Sequence, residues 1–341
     1  MAIKFGLFPL TKSPPRGENL DRLFAEICAE LQLAEEVGFD CCLLAEHHQN
    51  PEGQFPSTLV TAAGIAARTK RLRIGPGVLL LPLHHAMHVA EDSAMVDVIS
   101  GGRFILGLGI GYQPADFAAF GVPMSHRVSL YEEGIEVIKR AWTEDRFSFH
   151  GKRYSLENVS LQPKPLQQPH PPIWLGGWTM EGVKRAGRVA DAWLADPIQG
   201  RAAVQAMASV YRETAAKRGR PSSVVLMREG WVAGSRDQAI AEYGEPIMVQ
   251  HRYYWRNKAY IEEYDPWLKD VKTESDLTLE RVADRLILGT PEECIDQIAR
   301  WHADVGMDAL VLRLRHASGP SHERVMQAIK MFGEKVIPRF A

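Results

Sequence analysis

Glu46, His47 and His48 stand in a row directly after the apolar run Leu43-Leu-Ala45. Imidazole exchanges its proton nearest neutral pH and a neighbouring carboxylate can orient it, so the triplet has the make-up of a general acid/base. A lone histidine is more often a structural hydrogen-bonding group; three titratable groups where a strand ends read differently. His84, His85 and His88 follow another apolar run and raise the alternative of a metal centre. No H-x-H, H-E-x-x-H or spaced carboxylate pattern accompanies them, so no metal is expected.

Gly107, Gly109 and Gly111 recur at two-residue spacing in Arg103-Phe-Ile-Leu-Gly-Leu-Gly-Ile-Gly-Tyr112, which in an extended chain puts all three on one face. Such a bare face admits a flat cofactor ring, or else relieves the crowded interior of a closed barrel. In Leu72-Arg-Ile-Gly-Pro-Gly-Val-Leu-Leu-Leu-Pro82 the Gly75-Pro76-Gly77 interruption predicts a bulge. Ile173-Trp-Leu-Gly-Gly-Trp-Thr179 runs into a helix near Thr179, whose free backbone N–H groups could hold a phosphate.

Short apolar runs at 3–9, 40–46, 72–81, 103–110, 173–176, 191–195, 223–230 and 308–314 alternate with helical stretches. In the stretch 20–37, for example, Leu23, Ile27, Leu31, Ala34 and Val37 recur every three or four residues. Eight strand–helix units predict an α/β fold, a (β/α)8 TIM barrel, in preference to a doubly wound sheet. Such a barrel carries its chemistry where its strands end, which is where Glu46, His47 and His48 fall. Thr290-Pro-Glu-Glu293 marks a helix start, Phe147-Ser-Phe-His-Gly151 a hairpin, and Pro171-Pro172 the end of a proline-rich connection. Residues 243–280, rich in Tyr and Trp, are too long for a simple connection. They are expected to form a partly helical lid or insertion between strands 7 and 8 of one domain spanning residues 1–341.

With 40 basic and 42 acidic residues among 341, and no dense cationic run, neither nucleic acid nor an anionic membrane is an expected partner. No apolar stretch reaches membrane-spanning length and no signal-peptide pattern opens the chain, which predicts the cytoplasm. Cys28, Cys41, Cys42 and Cys294 form no C-x-x-C pair and suit reduced, buried thiols.

Glu46-His47-His48, the segment ending at Pro82, Ser100-Gly-Gly-Arg-Phe104 with its glycine strand, Pro171-Pro-Ile-Trp-Leu-Gly-Gly177 and Leu288-Gly-Thr-Pro-Glu-Glu293 occur here in one order. That order resembles the bacterial luciferase-like family of flavin-dependent monooxygenases, most closely over the first 200 residues. The resemblance implies a barrel that takes reduced FMN (FMNH2) from a separate flavin reductase and uses O2 to oxygenate a small organic substrate, water being excluded. It makes His47 the catalytic residue and implies a non-prolyl cis peptide at Gly77-Val78 against the flavin ring. Glu46, Gly109, Gly111 and Tyr112 come beside the ring, and Gly176, Gly177, Trp178 and Thr179 approach the phosphate. His48 and Phe8, the latter in the strand end Phe8-Pro-Leu10, are assigned to the substrate, expected to be apolar or mixed in character; a homodimer is also expected. Two departures stand out: luciferase has arginine at the position of Ile110, and a Glu-Ser pair where this chain has Gly177-Trp178. Relatives that use a deazaflavin coenzyme for hydride transfer share the barrel and supply the alternative reading. A flavin-binding protein without turnover and a metal-dependent hydrolase are the readings from other classes.

Overall fold

A computed structural model describes residues 2–13, 19–50 and 53–341. The elements run β1 (Lys4–Leu7), α1 (Leu20–Glu36), β2 (Cys41–Leu44), α2 (Thr58–Ala66), β3 (Arg73–Pro76), β4 (Leu79–Leu80), α3 (Ala86–Ser100), β5 (Leu106–Gly109), α4 (Pro114–Ala119) and α5 (Arg127–Thr143). There follow β6 (Phe147–His150), β7 (Ser155–Val159), β8 (Ile173–Gly176), α6 (Met180–Val189), β9 (Ala192–Ala195), α7 (Arg201–Ala216), β10 (Ser223–Val232) and α8 (Arg236–Arg256). The last elements are α9 (Leu279–Val282), β11 (Ile287–Gly289), α10 (Pro291–Val305), β12 (Ala309–Arg313) and α11 (His322–Lys335).

All pairings in the main sheet are parallel, in the order β3-β2-β1-β12-β10-β9-β8-β5-β4. A parallel bridge between Ile74 and Phe104 joins its two ends, with Ile74 N–H donating to Arg103 O and Ile105 N–H to Ile74 O. The sheet is thus a barrel, and each of the eight expected strands supplies one stave. Alternation sorts the side chains. Cys41 and Leu43 point into a small interior core with Ile105, Trp174 and Val311, whereas Cys42 and Leu44 join the larger core under the helices. The two adjacent cysteines therefore face opposite ways, and all four cysteines are buried free thiols. Leu23, Ile27, Leu31 and Ala34 of α1 are buried, as their spacing requires. The capping box at Thr290 and Glu293 forms in both directions with Pro291 at the first helical position, and β6 and β7 make the hairpin.

Three expectations change. The third stave is broken rather than bulged: β3 pairs with β2, β4 pairs with β5, and the Gly77–Val78 peptide between them is cis. The glycine row does not extend to Gly111, because the strand ends at Gly109 and Gly111 adopts φ +73°, beyond the pleat. The face of Gly107 and Gly109 meets protein. A Cβ on Gly107 would run into the Pro76 carbonyl oxygen and one on Gly109 into the Val78 side chain, so these glycines relieve crowding inside the barrel. Finally, the segment 243–280 begins inside α8, whose buried face carries Tyr243, Ile247, His251 and Tyr254. Tyr260, Val271 and Leu277 are buried with them. This insertion is built into the core, and the short strand β11 after it extends β10 beyond the barrel. Among the described residues no helix is long and apolar enough to cross a membrane.

Gly107→Ala forces a methyl group onto backbone and should cost roughly 1–3 kcal/mol or more, the usual range for overpacking. Thr290→Ala should cost about 1 kcal/mol through loss of its cap. Urea unfolding of both variants is the measurement, and an unchanged midpoint for Gly107→Ala would mean that strand 3 moves aside freely.

Candidate active site

β2 is buried along its whole length, so Glu46, just past its end, enters the barrel mouth 3% exposed. A buried carboxylate needs donors. One oxygen of Glu46 accepts from His48 Nε2 at 2.7 Å and from His84 Nε2 at 2.8 Å, and the other from the Leu80 N–H at 2.9 Å. An ionised carboxylate can only accept, so both rings carry their proton on Nε2. Burial alone would raise the Glu46 pKa, but the bonds from His48 and His84 outweigh it and hold the group below its usual range. His48 is raised in turn, chiefly by its bond to Glu46. Its ring also packs edge-on against Phe120 at 4.6 Å. The Glu46, His48 and His84 ligand atoms lie within 4.8 Å of one another, a metal-capable cluster that linear spacing did not reveal because His84 arrives from another strand end. Here the two Nε2 atoms are spent on the carboxylate, which makes the cluster a hydrogen-bonded clamp.

His47 stands outside that clamp. It makes no hydrogen bond among the described residues, and burial, reinforced by the charges of Arg313 and Lys12, lowers its pKa to about 4. The side chain is therefore neutral near pH 7 and able to accept a proton from a reacting group, or to relay one. Arg313, at the end of β12, was missed in the sequence. Its guanidinium lies 4.8 Å over the Phe8 ring and donates to Glu229 at 3.0 Å. Burial opposes charge on Glu229, but Arg313 and His316 outweigh it and bring its pKa to about 2. His316 Nε2 is 2.9 Å from Glu229, out of line for a hydrogen bond. The signal was present: Arg228-Glu229 and Arg313 are charged residues in otherwise apolar strands at the catalytic end of a barrel.

The remaining candidates fall into two groups. Val78 sits between Gly109 and Gly176, where a Cβ on Gly176 would come 3.1 Å from its side chain. Phe8 lies beneath Arg313 on the same interior core. The second group surrounds a cavity of about 530 Å³ lined by Tyr112, Trp178 and Thr179 together with residues of the insertion. Tyr112 and Trp178 rings are 5.3 Å apart and, at 42% and 39% exposure, leave apolar faces open. Thr179 caps α6 by accepting from Gly182 N–H, and Gly177 O accepts from the Trp193 indole. A Cβ on Gly177 would press on the Gly182 backbone at 3.1 Å. Glu46, His47, Phe8 and Val78 do not line this cavity.

Imidazole titrations by NMR should give His47 a midpoint near pH 4 and His48 one above the ordinary 6.5. Because unfolded His47 takes up a proton at about 6.5 and the folded residue does not until about 4, folding stability should fall as pH falls through that window. His47→Gln should flatten this limb; an unaltered pH profile would show that His47 is not held neutral.

A family model of luciferase-like monooxygenases matches residues 3–308. The chain is 28% identical over 358 residues to 4-hydroxyprotoasukamycin monooxygenase of Streptomyces nodosus subsp. asukaensis, covering 99% of this chain and 92% of that one. It is 27% identical over 325 residues to the F420-dependent glucose-6-phosphate dehydrogenase of Microbacterium testaceum, 90% of each chain. Its backbone superposes, at a TM-score of 0.85 and 20% identity, on the oxygenating constituent of 3,6-diketocamphane monooxygenase from Pseudomonas putida, solved with FMN, covering 100% and 99% of the chains. Monooxygenases and deazaflavin-dependent oxidoreductases are thus both among its relatives, and with the match spanning barrel and site alike, the chain belongs to the luciferase-like monooxygenase family.

Proposed function

We propose that this chain is the oxygenating component of a two-component flavin-dependent monooxygenase, which uses FMNH2 from a separate flavin reductase and O2 to oxygenate a small organic substrate. The observation that carries this reading is His47, neutral and unbonded beside a clamp that already satisfies Glu46, His48 and His84. The residues present fit a flavin. Tyr112 and Trp178 offer open ring faces, the first turn of α6 leaves the Met180 and Glu181 N–H groups without an intrahelical acceptor at the cavity, and the buried Gln199 Oε1 lacks a partner. Val78, packed on Gly109 and Gly176, would support the ring; Gly111 and Tyr112 would flank it, and Gly177, Trp178 and Thr179 would face the phosphate.

Bound reduced FMN supplies the two electrons with which O2 is activated. His47 accepts or returns the proton of the reacting group, and Glu46 anchors His48 so that one ring edge faces the substrate side. Phe8, with Arg313 over its ring, gives the substrate an apolar wall with a cationic neighbour. The whole chain, 1–341, acts as one domain in which 243–280 covers the cavity. Val60 on α2 and Met95 and Ile99 on α3 are exposed apolar side chains, which supports a homodimer through that face. Four buried free thiols fit a cytoplasmic enzyme.

His47→Ala should lower product formation by roughly 10² to 10⁴, the scale of a lost general acid/base, with FMN affinity unchanged. His48→Ala should do less. Anaerobic titration with reduced FMN and with reduced deazaflavin, followed by admission of O2, tests the cofactor. Tight deazaflavin binding without oxygen consumption would assign the chain to hydride transfer, the activity class that its 27% relative supports.

A further inference from the structure

The cavity at the start of α6 holds one basic residue, Lys258, among those lining it. Lys258 follows the C-terminal end of α8 at φ +52°, where its N–H donates to Trp255 O and the chain turns back across the cavity. Its ammonium makes no ion pair among the described residues. In the same cavity lining, Thr179 satisfies the Gly182 N–H and, through its carbonyl, that of Val183. The N–H groups of Met180 and Glu181 have no acceptor within the helix, as at any helix start, and the dipole there favours an anion. Glu181, the acid of that turn, is already paired with Lys184 at 2.9 Å. A second observation points to a ligand. Gln199, 1% exposed, lines the same cavity; its amide Nε2 donates to Ala259 O at 3.0 Å, while its oxygen has no partner.

We propose that Lys258 is the counter-charge for the phosphate of the flavin, held between it and the α6 N-terminus, with Gln199 Oε1 accepting from a hydroxyl of the chain linking phosphate to ring. This rests on the flavin reading above and deepens it. A phosphate so held ties the insertion to the barrel through the ligand.

The test is a set of anaerobic titrations, followed by quenching of protein fluorescence, with reduced FMN against reduced riboflavin, which has the same ring and no phosphate. A second pair is the deazaflavin coenzyme against its dephosphorylated core. Wild type should prefer the phosphorylated member. Lys258→Met should weaken it about five- to tenfold, the scale of one partly exposed charge-assisted contact, and leave the other member unchanged. The loss should shrink in high salt and be largely restored in Lys258→Arg. Gln199→Leu should weaken both members of a pair alike. Equal affinity of wild type for both members, an unchanged Lys258→Met, or binding of neither pair would overturn the proposal. Binding of the deazaflavin pair alone would sink the monooxygenase reading, and the Lys258→Met result within that pair would still decide the phosphate assignment.

Discussion

The site depends on the absence of side chains at Gly107, Gly109 and Gly176. Because those positions are bare, strand 3 can break at Gly77–Val78, push the Pro76 carbonyl and the Val78 side chain into the barrel, and resume as β4 against β5. That displacement sets the Leu80 N–H on Glu46. With one oxygen taken by backbone, the other is left for His48 and His84, and their shared acceptor fixes both rings. His47, next in sequence and directed elsewhere, is then the imidazole without a bond. Packing in the interior thus determines which of these imidazoles is left without a hydrogen bond, and a methyl group on the glycine face would disturb that arrangement through strand 3.

Charge around the mouth reinforces the division. Arg313 is compensated by Glu229, and Lys12 has interactions of its own, so neither cation that acts on His47 stands alone. The balance keeps His47 uncharged without creating an unpaired buried ion, whose cost would be several kcal/mol. Arg228, fully buried over the Trp301 ring at 4.0 Å, braces the neighbouring strand end by donating to the Asp196 and Gln199 carbonyls. The same bracing holds the Gln199 backbone in the cavity wall.

The barrel was legible in the sequence because each stave is a short apolar run with a helical stretch after it, and periodicity is a local signal. Glu46, His47 and His48 were legible for the same reason. What was not legible is what two distant segments make together. His84 joins Glu46 across 38 positions, Arg313 joins Glu229 across 84, and neither pairing leaves a mark in spacing. The glycine row was readable as a bare face, but only the fold shows that Pro76 and Val78 fill it. β11 escaped notice because three residues outside the barrel carry no period. The start of the insertion was misplaced because the opening turn of α8, Arg236-Asp-Gln238, is polar, whereas the aromatic enrichment begins at Tyr243.

That enrichment has a physical explanation which limits how a cover could work. Tyr243 stacks on Trp231 at 5.2 Å and donates to the Arg313 carbonyl; His251 bonds Tyr260, and Arg285 is buried between Asp265 and the rings of Tyr260 and Trp267. These groups bind α8 and the following coil to strands β10 and β12, and opening them together would expose a buried ion pair to no gain. A cover that admits flavin and substrate must therefore move in a smaller unit. The stretch around Tyr253, Asn257 and Lys258 meets that requirement: Tyr253 is 40% exposed, all three line the cavity, and none carries a core contact comparable to those of Tyr243 or Tyr260. On the proposed reading, closure there would need only the end of one helix to settle on a phosphate held by Lys258.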